Sequence, residues 1–315
     1  MSPRALITGC EGFVGTALSA HLAASGWEVA GCGLAIDHET PARFRCDFRS
    51  PESVREAVAR AGAISHVFHL AALTFVPDAG KDPVAAYDTN LQGAIRLIEA
   101  MRASAPGARL IFIGSSEVYG PPQFLPITEE HPFAPQNPYA IGKAAADLHC
   151  AWAHRAMGID VVRVRPFNHS GPGQSDRFAL PSFARQIAEI ECGLREPVLS
   201  VGNIEGARDF SHVADVLRAY ARIAIDGTPG AAYNVCSGRS VSLKSALDQF
   251  LEMARARIRV KVDPGRFRPS EIAEIRGSHA ALTAATGWQP AKRFQELLED
   301  LLGYWRAQIA ADKAH

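Results

Sequence analysis

Tyr139 and Lys143, four residues apart, are the side chains of this sequence with the clearest chemical potential. A free phenol has a pKa of about 10, so it is a poor acid or base at neutral pH without help from its surroundings. A lysine one helical turn later lies on the same side of a helix, where its charge favours the phenolate. Ser115, which follows an apolar segment earlier in the chain, can hydrogen-bond the same substrate oxygen. These residue types predict proton transfer at a carbonyl or an alcohol, chemistry that needs a redox cofactor.

The beginning of the chain has the pattern of a dinucleotide-binding turn. The apolar run at 5–8 is followed by Gly9, Gly12 and Gly15 and then by a helical pattern. In such a unit the first glycine permits the tight turn, the second lets a pyrophosphate approach the backbone, and the third lets the helix pack on the strand. Phe13 and Val14 lie inside the turn, and we expect them to contact the cofactor too. A plain tight β–α turn is the alternative, but the position directly after the first strand favours a cofactor site.

Strand and helix patterns alternate through the first half of the chain. Strands are predicted at 28–33, 43–46, 66–72 and 110–114, and helices at 51–60, 83–103 and 138–155. This alternation predicts an α/β fold with a doubly wound parallel sheet of the Rossmann type. Because ligands bind beyond the carboxyl ends of such strands, Gly9, Ser115 and the segment Leu70-Ala71-Ala72 are expected to converge on one crevice.

The second half is less regular. Helices are predicted at 178–193, 212–226 and 294–310, with short strands at 198–201 and 258–262. We therefore place a dinucleotide-binding Rossmann domain at residues 1–165. Residues 166–315 are assigned mainly to a smaller mixed α/β lobe for the substrate, with some segments returning to the first domain.

The end of the second predicted strand bears on the choice of cofactor. An acidic residue there normally holds the adenosine ribose of NAD, but this chain has Gly31-Cys32-Gly33-Leu34, and Asp37 comes late. Without a carboxylate a 2′-phosphate is not repelled, yet no arginine stands at that point to attract one, and Arg43 and Arg45 are the nearest. The sequence therefore admits NADP or NAD, with NADPH slightly favoured.

Composition excludes several other classes of protein. The 33 lysines and arginines balance 33 aspartates and glutamates, which gives no electrostatic basis for binding nucleic acid or an acidic membrane. No apolar run approaches the roughly 20 residues of a membrane helix, and no signal peptide is expected. The 6 cysteines contain no Cys-x-x-Cys pair, so we expect reduced thiols with no disulfide frame or metal site. These features predict a cytoplasmic globular protein.

The glycine turn, the strand-end serine and the Tyr-x-x-x-Lys pair together resemble the extended short-chain dehydrogenases/reductases that modify nucleotide sugars, over nearly the whole chain. The resemblance implies that Ser115, Tyr139 and Lys143 form the catalytic set, with Tyr139 and Lys143 also touching the cofactor. It further implies that Asp47 contacts the adenine and that Asn90 lies near the site. A homodimer formed through a four-helix bundle, by the helices near 84–103 and 138–157, is also implied.

One stretch narrows the resemblance to the GDP-4-keto-6-deoxy-D-mannose reductases, which make GDP-D-rhamnose. It is Phe167-Asn168-His169-Ser170-Gly171-Pro172-Gly173-Gln174, and segments around 200–203, 208–210, 233–238 and 268–271 are similar to the same subgroup. The residues implied to hold the substrate are Ser116, Glu117, Asn168, Val201, Asn203, Arg208, Arg268 and Glu271. Phe167 and His169 are expected beside the cofactor, although a packed core histidine is the alternative for His169.

Other functions fit parts of the same pattern. GDP-mannose 4,6-dehydratases resemble the chain around Ser115 and Arg268, but they usually carry an extra basic pair after the Phe-Asn-His stretch and a lysine near position 182, where this chain has Ser182. Glu117 matches the dehydratase base and is otherwise a capping or ion-paired carboxylate. A 4-epimerase would use the same residues, and a catalytically silent cofactor-binding regulator would not need the intact Ser-Tyr-Lys set.

The function that we expect from the sequence is therefore NAD(P)H-dependent reduction of the C4 ketone of GDP-4-keto-6-deoxy-D-mannose. The product would be a GDP-6-deoxyhexose such as GDP-D-rhamnose.

Overall fold

A computed structural model describes residues 2–265 and 272–314 of the chain. The elements in chain order are β1 (Arg4–Thr8), α1 (Phe13–Ala24), β2 (Glu28–Gly33), β3 (Arg43–Arg45), α2 (Pro51–Ala61), β4 (His66–His69), α3 (Val76–Lys81), α4 (Pro83–Tyr87), α5 (Gly93–Ser104), β5 (Arg109–Ile113), α6 (Pro138–Met157), β6 (Val161–Pro166), β7 (Asn168–Ser170), α7 (Ala179–Glu191), β8 (Val198–Val201), β9 (Ala207–His212), α8 (Val213–Asp226), β10 (Ala232–Val235), β11 (Ser240–Ser242), α9 (Leu243–Met253), β12 (Arg259–Val262), α10 (Ala280–Thr286) and α11 (Phe294–Ala314). None of the helices within these residues is long and apolar enough to cross a bilayer.

The predicted doubly wound sheet is confirmed. Seven parallel strands lie in the order β10-β6-β5-β4-β1-β2-β3. The chain leaves β1 towards β2 and β3 on one side and returns to β4 on the other, so a crevice opens at this change of direction, where such folds bind ligands. Two small sheets, β11-β9-β7 and β12-β8, belong to the second half of the chain.

Helices cover both faces of the large sheet because its strands are apolar on both sides. In β1, Leu6 packs into one core with residues of α2, α5 and α6, such as Leu97 and Cys150. The neighbouring Ile7 points the other way, into a core with residues of α1 and α8 such as Leu18. This alternation follows from the two-residue period of a strand, and burial on both faces is typical of parallel sheets. A third core joins α7, α9 and α11 in the second half.

Two of the differences from the sequence prediction lie beside the crevice. The strand predicted at 66–72 ends at His69, because the next two backbone N–H groups bond the Thr8 side chain instead of a neighbouring strand. The helix predicted at 83–103 is interrupted by a π-helical turn, Asp88–Gln92. Such turns are often found at functional sites, and this one carries the buried Asn90.

Candidate active site

A cleft of about 980 Å³ opens at the carboxyl ends of the central strands. The predicted site residues that line it are Gly9, Gly12, Phe13, Val14, Gly15, Asp47, Leu70, Ala71, Ala72, Ser115, Ser116, Glu117, Tyr139, Lys143, Phe167, Asn168 and His169. Residues that are far apart in the sequence are therefore brought to one place, because the strands that precede them are parallel and end at the same edge.

The glycine turn forms the floor of the cleft. Gly9 has a φ of +66°, and a side chain at Gly15 would place its Cβ 2.1 Å from the Gly9 carbonyl oxygen. The Gly12 N–H donates to that carbonyl at 3.1 Å, and α1 begins at the next residue. Because the first N–H groups of a helix have no partner within the helix, this end of α1 can bind a phosphate.

The segment that follows β4 forms one wall of the cleft, and the Thr8 side chain fixes its position. Its hydroxyl accepts hydrogen bonds from the N–H groups of Leu70 and Ala71 at 3.1 and 3.0 Å. The hydroxyl lies 2.9 Å from Nδ1 of His69, and since it already accepts twice, its one proton is donated to that nitrogen. Burial, with a smaller effect of the Lys143 charge, lowers the pKa of His69 to about 3. The ring is therefore neutral and part of a fixed support.

Asn90 holds the same wall from the side. Its Oδ1 accepts from the Leu73 N–H at 2.8 Å, and its Nδ2 donates to the Leu73 carbonyl at 3.1 Å. Asn90 does not line the cleft itself. Its contribution to the site is the position of the backbone that follows Ala72.

Tyr139 and Ser115 meet as the sequence predicted. Asn137 caps α6 by accepting from the Ala140 N–H at 2.9 Å, and Tyr139 is the second residue of that helix. Burial raises the pKa of Tyr139 to about 12, against the effect of a hydrogen bond with Ser115. The phenol is therefore protonated at neutral pH, the form that can donate a proton.

Lys143 lies one turn further along α6, inside the protein. Its ammonium donates to the Ile113 carbonyl at 2.7 Å, and burial lowers its pKa to about 8. The positive charge is thus fixed at the end of β5, beside the serine that follows this strand. An effect of this charge on the Tyr139 phenol remains a prediction.

Glu117 follows Ser115 closely in the chain, and its N–H donates to the Ser115 hydroxyl at 3.1 Å. Glu117 accepts from Nδ2 of Asn137 at 3.5 Å, and its negative charge is one of the influences that raise the Tyr139 pKa. Burial lowers the pKa of Arg208, and the charge of Glu117 opposes this shift. Arg208 itself donates to the carbonyls of Ala207 and Ile272 and does not line the cleft.

The remaining predicted substrate residues lie away from the cleft or outside the described residues. The Val201 side chain is buried in the core shared by α7, α9 and α11. Asn203 accepts from the Glu205 N–H at 3.1 Å. Arg268 and Glu271 lie outside the described residues.

Two pairs of side chains shape the ends of the cleft. Arg49 donates to both carboxylate oxygens of Asp47, at 3.0 and 2.8 Å, and this contact lowers the Asp47 pKa. Phe13 stacks on His169, with ring centroids 6.4 Å apart. The Phe167 carbonyl lies 3.0 Å from Nδ1 of His169, and since a carbonyl only accepts, Nδ1 carries the proton. Burial lowers the His169 pKa, so this ring is neutral as well.

Tyr220 and Glu11 are among the residues that line the cleft but were not predicted from the sequence as site residues. Tyr220 comes from α8, and its hydroxyl is buried with no hydrogen-bond partner in the described parts of the chain. In the sequence, Tyr220 is one residue of an ordinary amphipathic helix, and nothing there indicates a place in the site. Glu11 lies inside the glycine turn that the sequence analysis singled out, but at a position that the motif leaves open.

A parallel Rossmann sheet, a glycine turn after its first strand, and a serine and a Tyr-x-x-x-Lys pair in one cleft define a dinucleotide-dependent enzyme of the short-chain dehydrogenase/reductase type. Residues 6–301 match the family described as GDP-mannose 4,6 dehydratase. The chain belongs to this family of extended short-chain dehydrogenases/reductases, as the sequence resemblance predicted.

Individual relatives cover almost the whole chain. GDP-6-deoxy-D-mannose reductase of Pseudomonas aeruginosa is 38% identical over 313 residues, 98% of this chain and 99% of the relative. The structure of RMD from Pseudomonas aeruginosa complexed with NADPH has 37% identity and a TM-score of 0.87, and the match covers 98% of this chain and 100% of that one. The UDP-glucose 4-epimerase of Thermus thermophilus in complex with NAD has 28% identity and a TM-score of 0.83, over 96% and 99% of the two chains.

Proposed function

We propose that this enzyme reduces the C4 ketone of GDP-4-keto-6-deoxy-D-mannose with NADPH or NADH, giving a GDP-6-deoxyhexose such as GDP-D-rhamnose. The observation that carries the reaction type is that Ser115, Tyr139 and Lys143 line the same cleft as the glycine turn. The similarity to a GDP-6-deoxy-D-mannose reductase over 98% of the chain supports the choice of substrate.

The residues around the cleft fit a dinucleotide. The glycine turn admits a pyrophosphate to the backbone, and the beginning of α1 offers it N–H groups. We assign cofactor contacts to Gly9, Gly12, Phe13, Val14, Gly15, Asp47, Leu70, Ala71, Ala72, Tyr139, Lys143, Phe167 and His169. Asn90 has a supporting role, since its two hydrogen bonds fix the backbone of Leu73.

The catalytic step requires a proton donor and charge stabilisation from the chain. A nicotinamide held in the cleft would be the source of the hydride that C4 of the sugar receives. The electron pair of the C=O double bond moves to oxygen, and Tyr139 gives that oxygen its phenolic proton. Ser115 hydrogen-bonds the same oxygen as its negative charge develops. The Lys143 ammonium stabilises the phenolate that remains, which takes its proton back from solvent.

The second half of the chain is proposed to hold the GDP-sugar. Ser116, Glu117 and Asn168 line the cleft and are assigned to the sugar and its diphosphate. Arg208 interacts electrostatically with Glu117, so it borders this region. Roles for Val201, Asn203, Arg268 and Glu271 rest on the family resemblance alone. We propose residues 1–165 as the cofactor domain and 166–315 mainly as the substrate lobe, although β10 from the latter joins the large sheet.

A dehydratase or an epimerase is the second candidate, and Glu117 is the observation that favours it. Its carboxylate lies in the cleft near Asn137, where it is able to act as a base. These reactions begin by oxidising C4, however, and so need a phenolate that accepts a proton. Ser182, at a position where the dehydratases usually carry a lysine, favours the reductase over the dehydratase. A reductase consumes the reduced cofactor, whereas the other two enzymes regenerate theirs.

The test is to incubate the protein with GDP-4-keto-6-deoxy-D-mannose and either NADH or NADPH. Cofactor absorbance gives the rate, and NMR of the product gives its configuration at C4. One cofactor oxidised for each GDP-6-deoxyhexose formed is the expected result. No oxidation of either cofactor would reject the reductase, and GDP-mannose and UDP-sugars would then be tested as substrates of a dehydratase or an epimerase.

A homodimer through α6 is proposed from the surface of that helix. Ile141, Leu148 and Trp152 are 42%, 59% and 47% exposed, and their spacing of seven and four residues puts them on one face. The opposite face is buried against the Rossmann core. Leu148→Glu is expected to convert the dimer to a monomer in light scattering after gel filtration. A wild-type monomer would reject the dimer.

We also propose a cytoplasmic location, which the free state of all six cysteines supports.

A further inference from the structure

The side chain of Glu11 reaches from the glycine turn to the end of β2. Its Oε1 accepts hydrogen bonds from the N–H groups of Leu34 and Ala35, at 2.8 and 3.3 Å. The carboxylate fits there only because residue 33 is glycine, since a Cβ on Gly33 would lie 1.7 Å from Oε2 of Glu11. Gly33 at the end of β2 therefore leaves room for the negatively charged side chain of Glu11, which comes from the glycine turn.

This is the place where an acidic residue of β2 commonly holds the adenosine ribose in dinucleotide-binding folds. β2 itself ends without an acidic residue, but the side chain of Glu11 places a carboxylate at the same point. While Oε1 is occupied by two N–H groups, Oε2 is a buried oxygen with no hydrogen-bond partner in the part of the chain that the structure describes. A carboxylate oxygen is only an acceptor, so a hydroxyl that donates is the group that suits it.

The arginines nearby have other partners or lie outside the cleft, and Arg43 interacts with the Cys10 thiol next to Glu11. Arg49 lines the cleft, but its guanidinium is paired with Asp47, to which Nε and Nη2 donate. Arg43 and Arg45, the arginines that the sequence places nearest, are not among the residues that line it. Arg60 is paired with Glu39 outside the cleft.

We propose that Glu11 makes this enzyme selective for NADH over NADPH. The 2′-hydroxyl of the adenosine ribose donates to the free oxygen of Glu11, whereas a 2′-phosphate replaces that donor with a group carrying nearly two negative charges. Similar solved structures contain NADPH in one case and NAD in another, so the fold itself accommodates either cofactor. The proposal rests on the dinucleotide site of the proposed function and is independent of the sugar.

The experiment is a comparison of Kd values for NADH and NADPH, measured by fluorescence titration of the full chain without a sugar. Glu11→Gln keeps an oxygen that accepts from Leu34 and Ala35 but removes the charge. Glu52→Gln, on the exposed surface of α2, is the matched control. Melting temperatures show whether each variant is folded.

We expect the wild-type protein and the control to bind NADH at least about 10-fold more tightly than NADPH, the order of effect for one charge repelling a phosphate near a protein surface. Glu11→Gln should lower this ratio by roughly 10-fold, mainly through tighter binding of NADPH. A wild-type preference for NADPH, or a ratio that Glu11→Gln leaves within two-fold of wild type, would overturn the proposal. Failure to bind either cofactor would reject the dinucleotide site itself, and with it the proposed function.

Discussion

Asp147 links α6, the helix that carries Tyr139, to the central sheet. Asp147→Asn tests how much this link contributes to the stability of the protein. Its carboxylate is fully buried and accepts from Arg163 at 2.8 Å and from Arg165 at 2.9 and 3.0 Å. Arg165 continues the network by donating to the Tyr119 hydroxyl at 2.9 Å. Asparagine keeps the size of the side chain but removes the carboxylate that pairs with both guanidinium groups.

The expected loss of stability is large because a buried arginine cannot become neutral by losing its proton. The Arg165 side chain is only 5% exposed, so Asp147→Asn leaves a nearly buried charge uncompensated, a change that typically costs about 3–5 kcal/mol. Total stabilities of about 5–15 kcal/mol make this a severe loss. The corresponding fall in Tm is about 6–15 °C.

The assay is urea unfolding followed by circular dichroism, with thermal melting alongside. Asp160→Asn is the control, since Asp160 pairs with Arg109 at 2.9 Å but is itself 37% exposed. This control should lose no more than about 1 kcal/mol. Equal losses in the two variants would refute the reasoning that burial, rather than the mere presence of an ion pair, sets the cost.

Three further predictions concern the site. Tyr139→Phe should lower kcat by about 10²–10⁴-fold while the cofactor Kd changes little, and comparable turnover in steady-state assays would reject Tyr139 as the proton donor. Asn90→Leu removes both hydrogen bonds to Leu73. The Kd of the cofactor should rise by about 5- to 30-fold, which corresponds to about 1–2 kcal/mol. An unchanged Kd would show that the backbone at Leu73 keeps its position without Asn90. The pKa of His69 is lowered to about 3 in the folded protein, so the unfolded chain takes up a proton on this residue first as the pH falls. The free energy of unfolding should therefore be unaffected by His69 above about pH 6.5. Below that pH it should fall by up to about 1.4 kcal/mol per pH unit. Urea midpoints between pH 7 and 5 measure this loss, and a wild-type slope no steeper than that of His69→Gln would contradict it.

The sequence was sufficient for the parallel sheet and for the centre of the site. Apolar runs alternate with amphipathic segments, and this pattern has one common solution in which strand ends converge. Gly9, Ser115 and Tyr139 could therefore be placed in one cleft before any contact was known. The structure has all three residues in the lining of that cleft.

Features that depend on one side chain reaching another segment could not be predicted. The strand at His69 ends early because of a hydroxyl on β1, and the π-helical turn holds an amide that bonds a distant loop. Glu11 occupies an open position of the glycine motif, so no pattern indicates where its carboxylate lies. The short strand β7, Asn168-His169-Ser170, has no apolar alternation by which a strand is recognised.

The most direct test of the central claim follows the hydride itself. NADH or NADPH that carries deuterium on the transferring face of the nicotinamide is incubated with GDP-4-keto-6-deoxy-D-mannose and the enzyme, and the product is examined by NMR. The account predicts one deuterium at C4 of a GDP-6-deoxyhexose, with an equal amount of oxidised cofactor. A GDP-sugar product without deuterium at C4 would contradict it.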